Sequence, residues 1–187
     1  MRIRDIMLAA ITAAVVAAPA VAQVAPATQA AELDRRYIDP INGYSLRPPA
    51  DAERKRETSR ARLISWVHRD AKSRAIVWTL SVGQVFETHD NVDLEPYSKA
   101  LADRLKREQL FESKKVRLST LSERPAIDME GAIGGDFNLY QRQVWVLAEP
   151  NRFLVIMLTG PLDAAGSLGA MMDQVLQTLE EIGRAHV

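Results

Sequence analysis

The sequence predicts an α+β fold in which helices flank an antiparallel β-sheet. Three kinds of segment point to it: several with alternating apolar residues, one that is apolar without interruption, and two with apolar residues at helical spacing. Consecutive strands joined by short turns favour antiparallel pairing, and the helices supply apolar faces that can cover the sheet. The predicted architecture is therefore an α/β/α sandwich.

The strands are predicted from the period-two pattern of apolar residues. Residues 44–47 form a short first strand, whereas residues 50–59 are charged and aperiodic, so we expect an exposed loop there. Further strands are predicted at residues 61–68, 74–82, 114–121, 126–133, 139–148 and 153–159. Residues 153–158 are all apolar, which indicates a central strand covered on both faces. Residues 126–133 alternate, so we expect one face of that strand to be wet.

Two helices are predicted from apolar stripes. Asp93 is the candidate N-cap of the first, and Pro96 falls within its first turn, where proline is tolerated. Its stripe consists of Leu94, Tyr97, Leu101 and Leu105. Ser167 is the candidate N-cap of the second helix. The stripe of that helix consists of Leu168, Met171, Met172, Val175, Leu179 and Ile182.

Residues 1–22 are predicted to be a secretory signal peptide. Arg2 and Arg4 precede the apolar segment 6–18, and Ala20-Val21-Ala22 has the small-x-small pattern of a cleavage site. We therefore expect an exported protein, periplasmic or extracellular. The sequence contains no cysteine, which excludes disulfides, thiolate metal sites and the lipid-bearing cysteine of a lipoprotein.

The mature chain is expected to be a soluble monomer. No later segment approaches the roughly 20 apolar residues of a membrane span. Cleavage after residue 22 would leave 22 basic and 23 acidic residues, a balance that gives no argument for nucleic acid as a partner.

The chain is interpreted as one domain between flanking segments. Residues 23–36 are predicted to be a flexible spacer, and residues 37–181 a single domain of ordinary size. Residues 182–187 resemble one translated frame of a common sequencing adapter, so we expect them to be an artefact that carries no function.

Two stretches resemble the PsbP-like superfamily. The opening motif is Tyr37-Ile38-Asp39-Pro40-Ile41-Asn42-Gly43-Tyr44-Ser45-Leu46-Arg47-Pro48-Pro49. The C-terminal half adds Arg124-Pro125-Ala126, Tyr140-Gln141-Arg142-Gln143-Val144-Trp145-Val146 and Arg152-Phe153-Leu154-Val155-Ile156 before the last amphipathic helix. The superfamily includes the extrinsic PsbP protein of photosystem II, a Ran-binding nuclear import factor and DcrB-type exported bacterial proteins. The resemblance implies a non-enzymatic accessory or binding role.

One candidate metal site lies before the first helix. His89, Asp90 and Asp93 combine an imidazole with hard oxygen ligands and can collect a divalent cation. A capping role for Asp93 and a solvated loop for the others explain the same residues without a metal, and no cofactor is expected on that interpretation. The metal interpretation leads to the alternative function, a periplasmic protein that binds a small ligand or a divalent metal.

No catalytic residues are predicted. The serines within the strands lack the glycine pattern of a nucleophile elbow. Asp128 and Glu130 share one face of a strand and can form an acidic pair for acid–base chemistry, but alternation explains them with solvent as their only partner.

Two basic clusters suit a binding surface better than an active site. Arg54, Lys55 and Arg56 are the candidate partner-binding residues, facing an acidic protein or an anionic envelope polymer. The second cluster consists of Lys114, Lys115 and Arg117 with Arg104, Lys106 and Arg107. A solvated loop is the favoured interpretation of the first cluster, and both clusters can simply keep the domain soluble. The predicted function is a non-enzymatic binding or accessory module of the cell envelope, with an envelope protein or complex as its partner.

Overall fold

The computed structural model describes residues 31–56, 62–87, 92–134 and 138–181. Its strands are β1 (Tyr37–Asp39), β2 (Tyr44–Leu46), β3 (Glu53–Arg56), β4 (Arg62–Arg69), β5 (Ile76–Phe86), β6 (Phe111–Leu121), β7 (Arg124–Ile133), β8 (Leu139–Glu149), β9 (Arg152–Pro161) and β10 (Glu180–Glu181). Its helices are α1 (Leu94–Gln109) and α2 (Ala165–Gln177), the second preceded by a 3₁₀ turn at Leu162–Ala164. In this part of the chain, neither helix is long and apolar enough to cross a membrane.

The main sheet has seven antiparallel strands in the order β3-β4-β5-β9-β8-β7-β6, and a small sheet has the order β1-β2-β10. Strand β5 pairs with β9 from Thr79–Thr159 to Phe86–Arg152, so the last long strand lies between the two halves of the sheet. The predicted α+β class, with an antiparallel sheet flanked by helices, is confirmed. The topology places β3 and β6 at opposite edges, six strand spacings or about 29 Å apart.

A hydrophobic core lies on each face of the main sheet. Helix α2 covers one core, which contains Leu154, Ile156 and Leu158 of β9. Helix α1 covers the other, which contains the alternate residues Phe153, Val155 and Met157. The prediction that this strand is buried on both faces is confirmed, because alternate side chains of one strand enter different cores.

Strand β7 is buried on both faces around Ala126–Met129, although its alternating sequence predicted one wet face. Ile127 and Met129 enter the core under α1, but Ala126 on the other face is also buried, in the core under α2. Asp128 shares that second face and is buried as well. The prediction of one wet face is therefore wrong for this part of β7, because the second face carries a buried ion pair where solvent was expected.

Local sequence signals account for the N-terminus of α1 better than for that of α2. Asp93 is the N-cap of α1, and its carboxylate accepts a hydrogen bond from Glu95 N at 3.1 Å. Ser167, the predicted cap of α2, lies inside that helix and donates its hydroxyl to Ala164 O at 3.0 Å. That prediction is wrong because the 3₁₀ turn leads directly into the helix, without a side-chain cap.

Two segments predicted as irregular contact the sheets. Residues 53–56, placed in an exposed loop by their charge, form edge strand β3, which pairs with β4. An edge strand needs only main-chain hydrogen bonds, so the absence of apolar alternation did not reveal it. Leu33, in the predicted spacer, forms a β-bridge with Pro49 and packs against the core under α2. Ordered contacts therefore begin before residue 37.

A β-bulge at Lys114 interrupts the pairing of β6 with β7, since the register shifts between Ser113 and Lys115. Gly131 lies opposite Ser113, and a Cβ atom there would be 2.0 Å from the main-chain oxygen of Glu112. The absence of a side chain at Gly131 therefore permits the close approach of the two backbones at the bulge.

We expect Gly131→Ala to lower the free energy of unfolding by about 2 kcal/mol or more, because a backbone atom rather than a flexible side chain must move. Gly166→Ala is the control, since a Cβ atom there meets no described atom within 4 Å. It should leave stability unchanged or raise it by up to about 1 kcal/mol. Urea denaturation followed by circular dichroism measures both, and equal effects would contradict the close approach.

Candidate interaction surface

The predicted metal ligands are only partly covered by the structure. His89 and Asp90 lie outside the described residues. Asp93 is described, and its carboxylate caps α1. Among the described residues, no group of three or more His, Asp or Glu side chains is arranged to hold a metal ion. The metal site remains a prediction.

An open depression of about 590 Å³ lies between the N-terminus of α1 and the turn that joins β8 to β9. Val92 and Asp93 form one side of it, and Leu147 and Pro150 form another. The predicted metal ligand Asp93 lines this depression. Its carboxylate already accepts the capping hydrogen bond from Glu95 N.

The three predicted partner-binding residues lie on edge strand β3 but do not form one patch. Arg54 and Arg56 share the sheet face of their partners Trp66 and Ile64, whereas Lys55 points to the other face. The Arg54 guanidinium lies 6.0 Å from the centroid of the Tyr37 ring. Arg54 and Arg56 are exposed and Lys55 is half-buried, so this edge presents two cations on one face and one on the other.

The second basic cluster is divided by the fold. Arg104 turns inward, where its guanidinium lies 3.2 Å from the Tyr97 hydroxyl and 3.6 Å from the Glu87 carboxylate. The Tyr97 hydroxyl itself donates to Glu87 at 2.5 Å. These three side chains therefore form a partly buried cluster between α1 and the end of β5. Lys114, Lys115 and Arg117 remain on the outer strand β6 and are exposed.

A row of alternating charges, here called the charged ladder, crosses from β6 to α2. It consists of Lys115, Glu130, Arg117, Asp128, Arg142 and Asp173. Lys115 pairs with Glu130 at 3.2 Å, and Arg117 pairs with Asp128 at 2.7 Å. The ladder holds three positive and three negative groups, so its charges balance.

Arg142 is the centre of the charged ladder. Its guanidinium binds Asp128 through two hydrogen bonds of 3.0 and 2.9 Å, and its third nitrogen binds Asp173 at 2.7 Å and the Gly169 carbonyl at 3.1 Å. Burial by itself would lower the pKa of Arg142, but the hydrogen bonds and charge of Asp128, followed by those of Asp173, raise that pKa above its ordinary value. Arg142 therefore stays charged and ties β7 and β8 to α2.

This geometry corrects the interpretation of Asp128 and Glu130. Their partners were expected to be solvent, yet both carboxylates pair with cations, and the Asp128 side chain is only 10% exposed. Their acid–base alternative gains no support, since Asp128 receives hydrogen bonds from both Arg117 and Arg142. Sequence alternation showed that the acids share a face, but nothing in it identified Arg142 as their partner.

Tyr140 lies beside the charged ladder on β8, beneath α2. Burial, and then the negative charge of Glu130, raise the pKa of Tyr140 to about 12, so this phenol is protonated at neutral pH. A Cβ atom at Gly169 would lie 3.3 Å from the Tyr140 hydroxyl oxygen, so the glycine leaves room for the phenol under the helix. The surroundings favour a packing role for Tyr140 over a nucleophilic one.

The outer strand β6 combines exposed apolar and basic side chains. Val116 and Leu118 are 41% and 51% exposed and lie opposite Met129 and Ile127, on the α1 side of the sheet. Lys115 and Arg117 alternate with them and lie on the α2 side, as part of the charged ladder. The edge formed by residues 114–121 is here called the β6 edge.

Comparison with known proteins finds no matching family model and no matching curated sequence. Solved structures that share the fold include the following three. The cyanobacterial PsbP, CyanoP, of Synechocystis sp. PCC 6803 has 15% identity and a TM-score of 0.58 over 86% of this chain and 98% of its own. LpqN of Mycobacterium tuberculosis, described as involved in cell envelope biogenesis, has 16% identity and a TM-score of 0.53 over 73% and 82%.

The Ran-binding protein Mog1p of Saccharomyces cerevisiae has 12% identity and a TM-score of 0.53, over 82% of this chain and 97% of its own. At these identities the likeness concerns the fold alone. The predicted PsbP-like fold is therefore confirmed, and the likeness identifies no functional residue of this chain.

We expect Arg142→Met to lower the free energy of unfolding by about 3 kcal/mol, because it removes the bidentate partner of a buried carboxylate. Arg117→Met is the matched control. It also removes a guanidinium from Asp128, but the Arg117 side chain is 54% exposed against 7% for Arg142, so its loss should cost less than about 1 kcal/mol.

Urea denaturation of both variants measures these losses. Combining Arg142→Met with Asp128→Asn should cost less than the sum of the single changes, with a coupling of about 1 kcal/mol or more. Equal losses for Arg142→Met and Arg117→Met would show that burial does not determine the strength of this network.

Proposed function

We propose that the protein is an exported, non-enzymatic accessory module of the cell envelope that acts by holding a protein partner. The observation that carries the proposal is the contrast between the charged ladder and the β6 edge. The ladder's carboxylates are already paired with cations, whereas the β6 edge, which includes Lys115 and Arg117 of the ladder, presents exposed apolar and basic side chains. Such a surface is suited to recognition rather than to acid–base chemistry.

Export is supported by the signal pattern of residues 1–22. LpqN, a protein of the same fold, is described as involved in cell envelope biogenesis, and Mog1p is described as Ran-binding. These descriptions apply to those proteins, and they support an accessory binding role here because the same fold serves different partners.

A cell fractionation experiment tests export. The full chain with a C-terminal affinity tag is expressed in a bacterial host, and the N-terminus of the recovered protein is sequenced. We expect the protein outside the cytoplasm with Gln23 as its first residue. A fully cytoplasmic, uncleaved chain would contradict the proposal, provided that a known exported protein is processed in the same cells.

A cross-linked pull-down from native envelope extract tests the binding role, with the full-length protein as bait. We expect one envelope protein in near-stoichiometric amount, and its recovery should fall when a surface is altered. The first altered bait carries Arg54→Glu, Lys55→Glu and Arg56→Glu, and the second carries Leu118→Asp on the β6 edge. Recovery that is unchanged by both variants and equal for an unrelated exported bait would contradict specific binding.

A further inference from the structure

The β6 edge is the longer of the two edges of the main sheet. Strand β6 contains 11 residues and β3 contains four. After the bulge at Lys114, seven residues from Lys115 to Leu121 pair with β7 in unbroken register. Within the described residues, β6 has β7 as its one neighbour in the sheet, and residues 114–120 are exposed. The opposite side of β6 therefore offers main-chain groups to a further strand.

We infer that the β6 edge binds an extended segment of a partner protein in which acidic and apolar residues alternate, so that the segment pairs as an eighth strand. This inference rests on the proposed binding function and names its surface and the chemistry of its partner. Main-chain hydrogen bonds supply the attachment in this mode of recognition, and alternate side chains supply the selectivity.

The two faces of the β6 edge differ in chemistry. On the α1 side, Val116 and Leu118 extend the buried apolar row of Met129 and Ile127 out to the rim. Apolar side chains of an added strand would cover them and remove their surface from water. On the α2 side, Lys115 and Arg117 form the outermost row of the charged ladder.

The charges of the ladder are balanced in number but not in position. Lys115 and Arg117 are exposed at the rim, whereas their partners Glu130 and Asp128 lie one strand further in and are less exposed. Lys114 adds a further exposed cation at the bulge. An arriving strand therefore meets cations first, which favours acidic side chains on that face.

Neither a second copy nor another segment of this chain fits as well. The β6 edge of a second copy would bring three more cations and no acidic residue to this rim, so it supplies no complementary charge. Each segment of the chain outside the described residues contains at most one acidic residue. None of these segments supplies an alternating acidic and apolar pattern, so the occupant belongs to another protein.

The test uses the full-length protein and a blocked synthetic peptide of nine residues in which Val and Asp alternate. Amide hydrogen exchange is measured with and without the peptide. We expect exchange of amides in residues 115–121 to slow by about tenfold or more when the peptide is bound. Two control peptides should not bind: one with Lys in place of Asp, and one with Pro at two of the Val positions, which cannot complete a β ladder.

Leu118→Asp should weaken peptide binding by about tenfold or more, because it places an acidic side chain where an apolar one is covered. Ile41→Asp is the matched control. Ile41 is 70% exposed in the turn between β1 and β2, outside the main sheet, so its replacement should leave binding unchanged. Both side chains are exposed, and an unchanged melting temperature would show that both variants fold.

Three results would overturn the inference. Protection on β3 instead of β6 would place the binding strand at the other edge. Equal binding of the Lys-containing peptide would remove the charge argument. Protection of β6 that rises with protein concentration in the absence of peptide, together with a dimer in sedimentation, would show that a second copy occupies the edge.

The pull-down separates this inference from the proposed function. A partner that Leu118→Asp still recovers, together with no peptide binding, would reject the β6 edge while leaving the accessory role intact. Peptide binding with an empty pull-down would support the edge as a strand acceptor while contradicting the accessory role.

Discussion

The pairing of β5 with β9 is the contact on which the rest of the structure depends. It joins a hairpin from the first half of the chain to a four-stranded meander from the second, through eight residue pairs from Thr79–Thr159 to Phe86–Arg152. Because β9 is apolar on both faces, it is stable only between two strands and under two covering layers. That position leaves β3 and β6 as the edges of the sheet.

The ion pair of Arg142 with Asp128 adds a constraint of a different kind. A buried charged pair gains little over apolar packing, but each partner is costly to leave alone. Arg142 also binds Asp173 and the Gly169 carbonyl of α2. Arg142 therefore links the position of α2 to the register of β7 and β8. Its main contribution is to specify this arrangement of the three elements.

The sequence predicted the parts of this fold that depend on local pattern. The all-apolar run of β9 and the cap at Asp93 needed only neighbouring residues. The pairing of Arg142 with Asp128 crosses two strands diagonally, so it depends on a register that no local pattern contains. Strand β3 was missed for a related reason, since its four charged residues are held by the main chain of β4.

The same topology determines where a partner can be recognised. Both faces of the central strands are occupied by cores, so side chains there serve packing. Variation compatible with the fold is then concentrated at the edges and loops, which is where proteins of one fold differ in function. On β6 both rows reach the edge of the sheet. Val116 and Leu118 continue the apolar row on one face, and Lys115 and Arg117 continue the charged row on the other. A partner that pairs with this edge must match both rows at once, and that requirement converts a generic strand edge into a selective one.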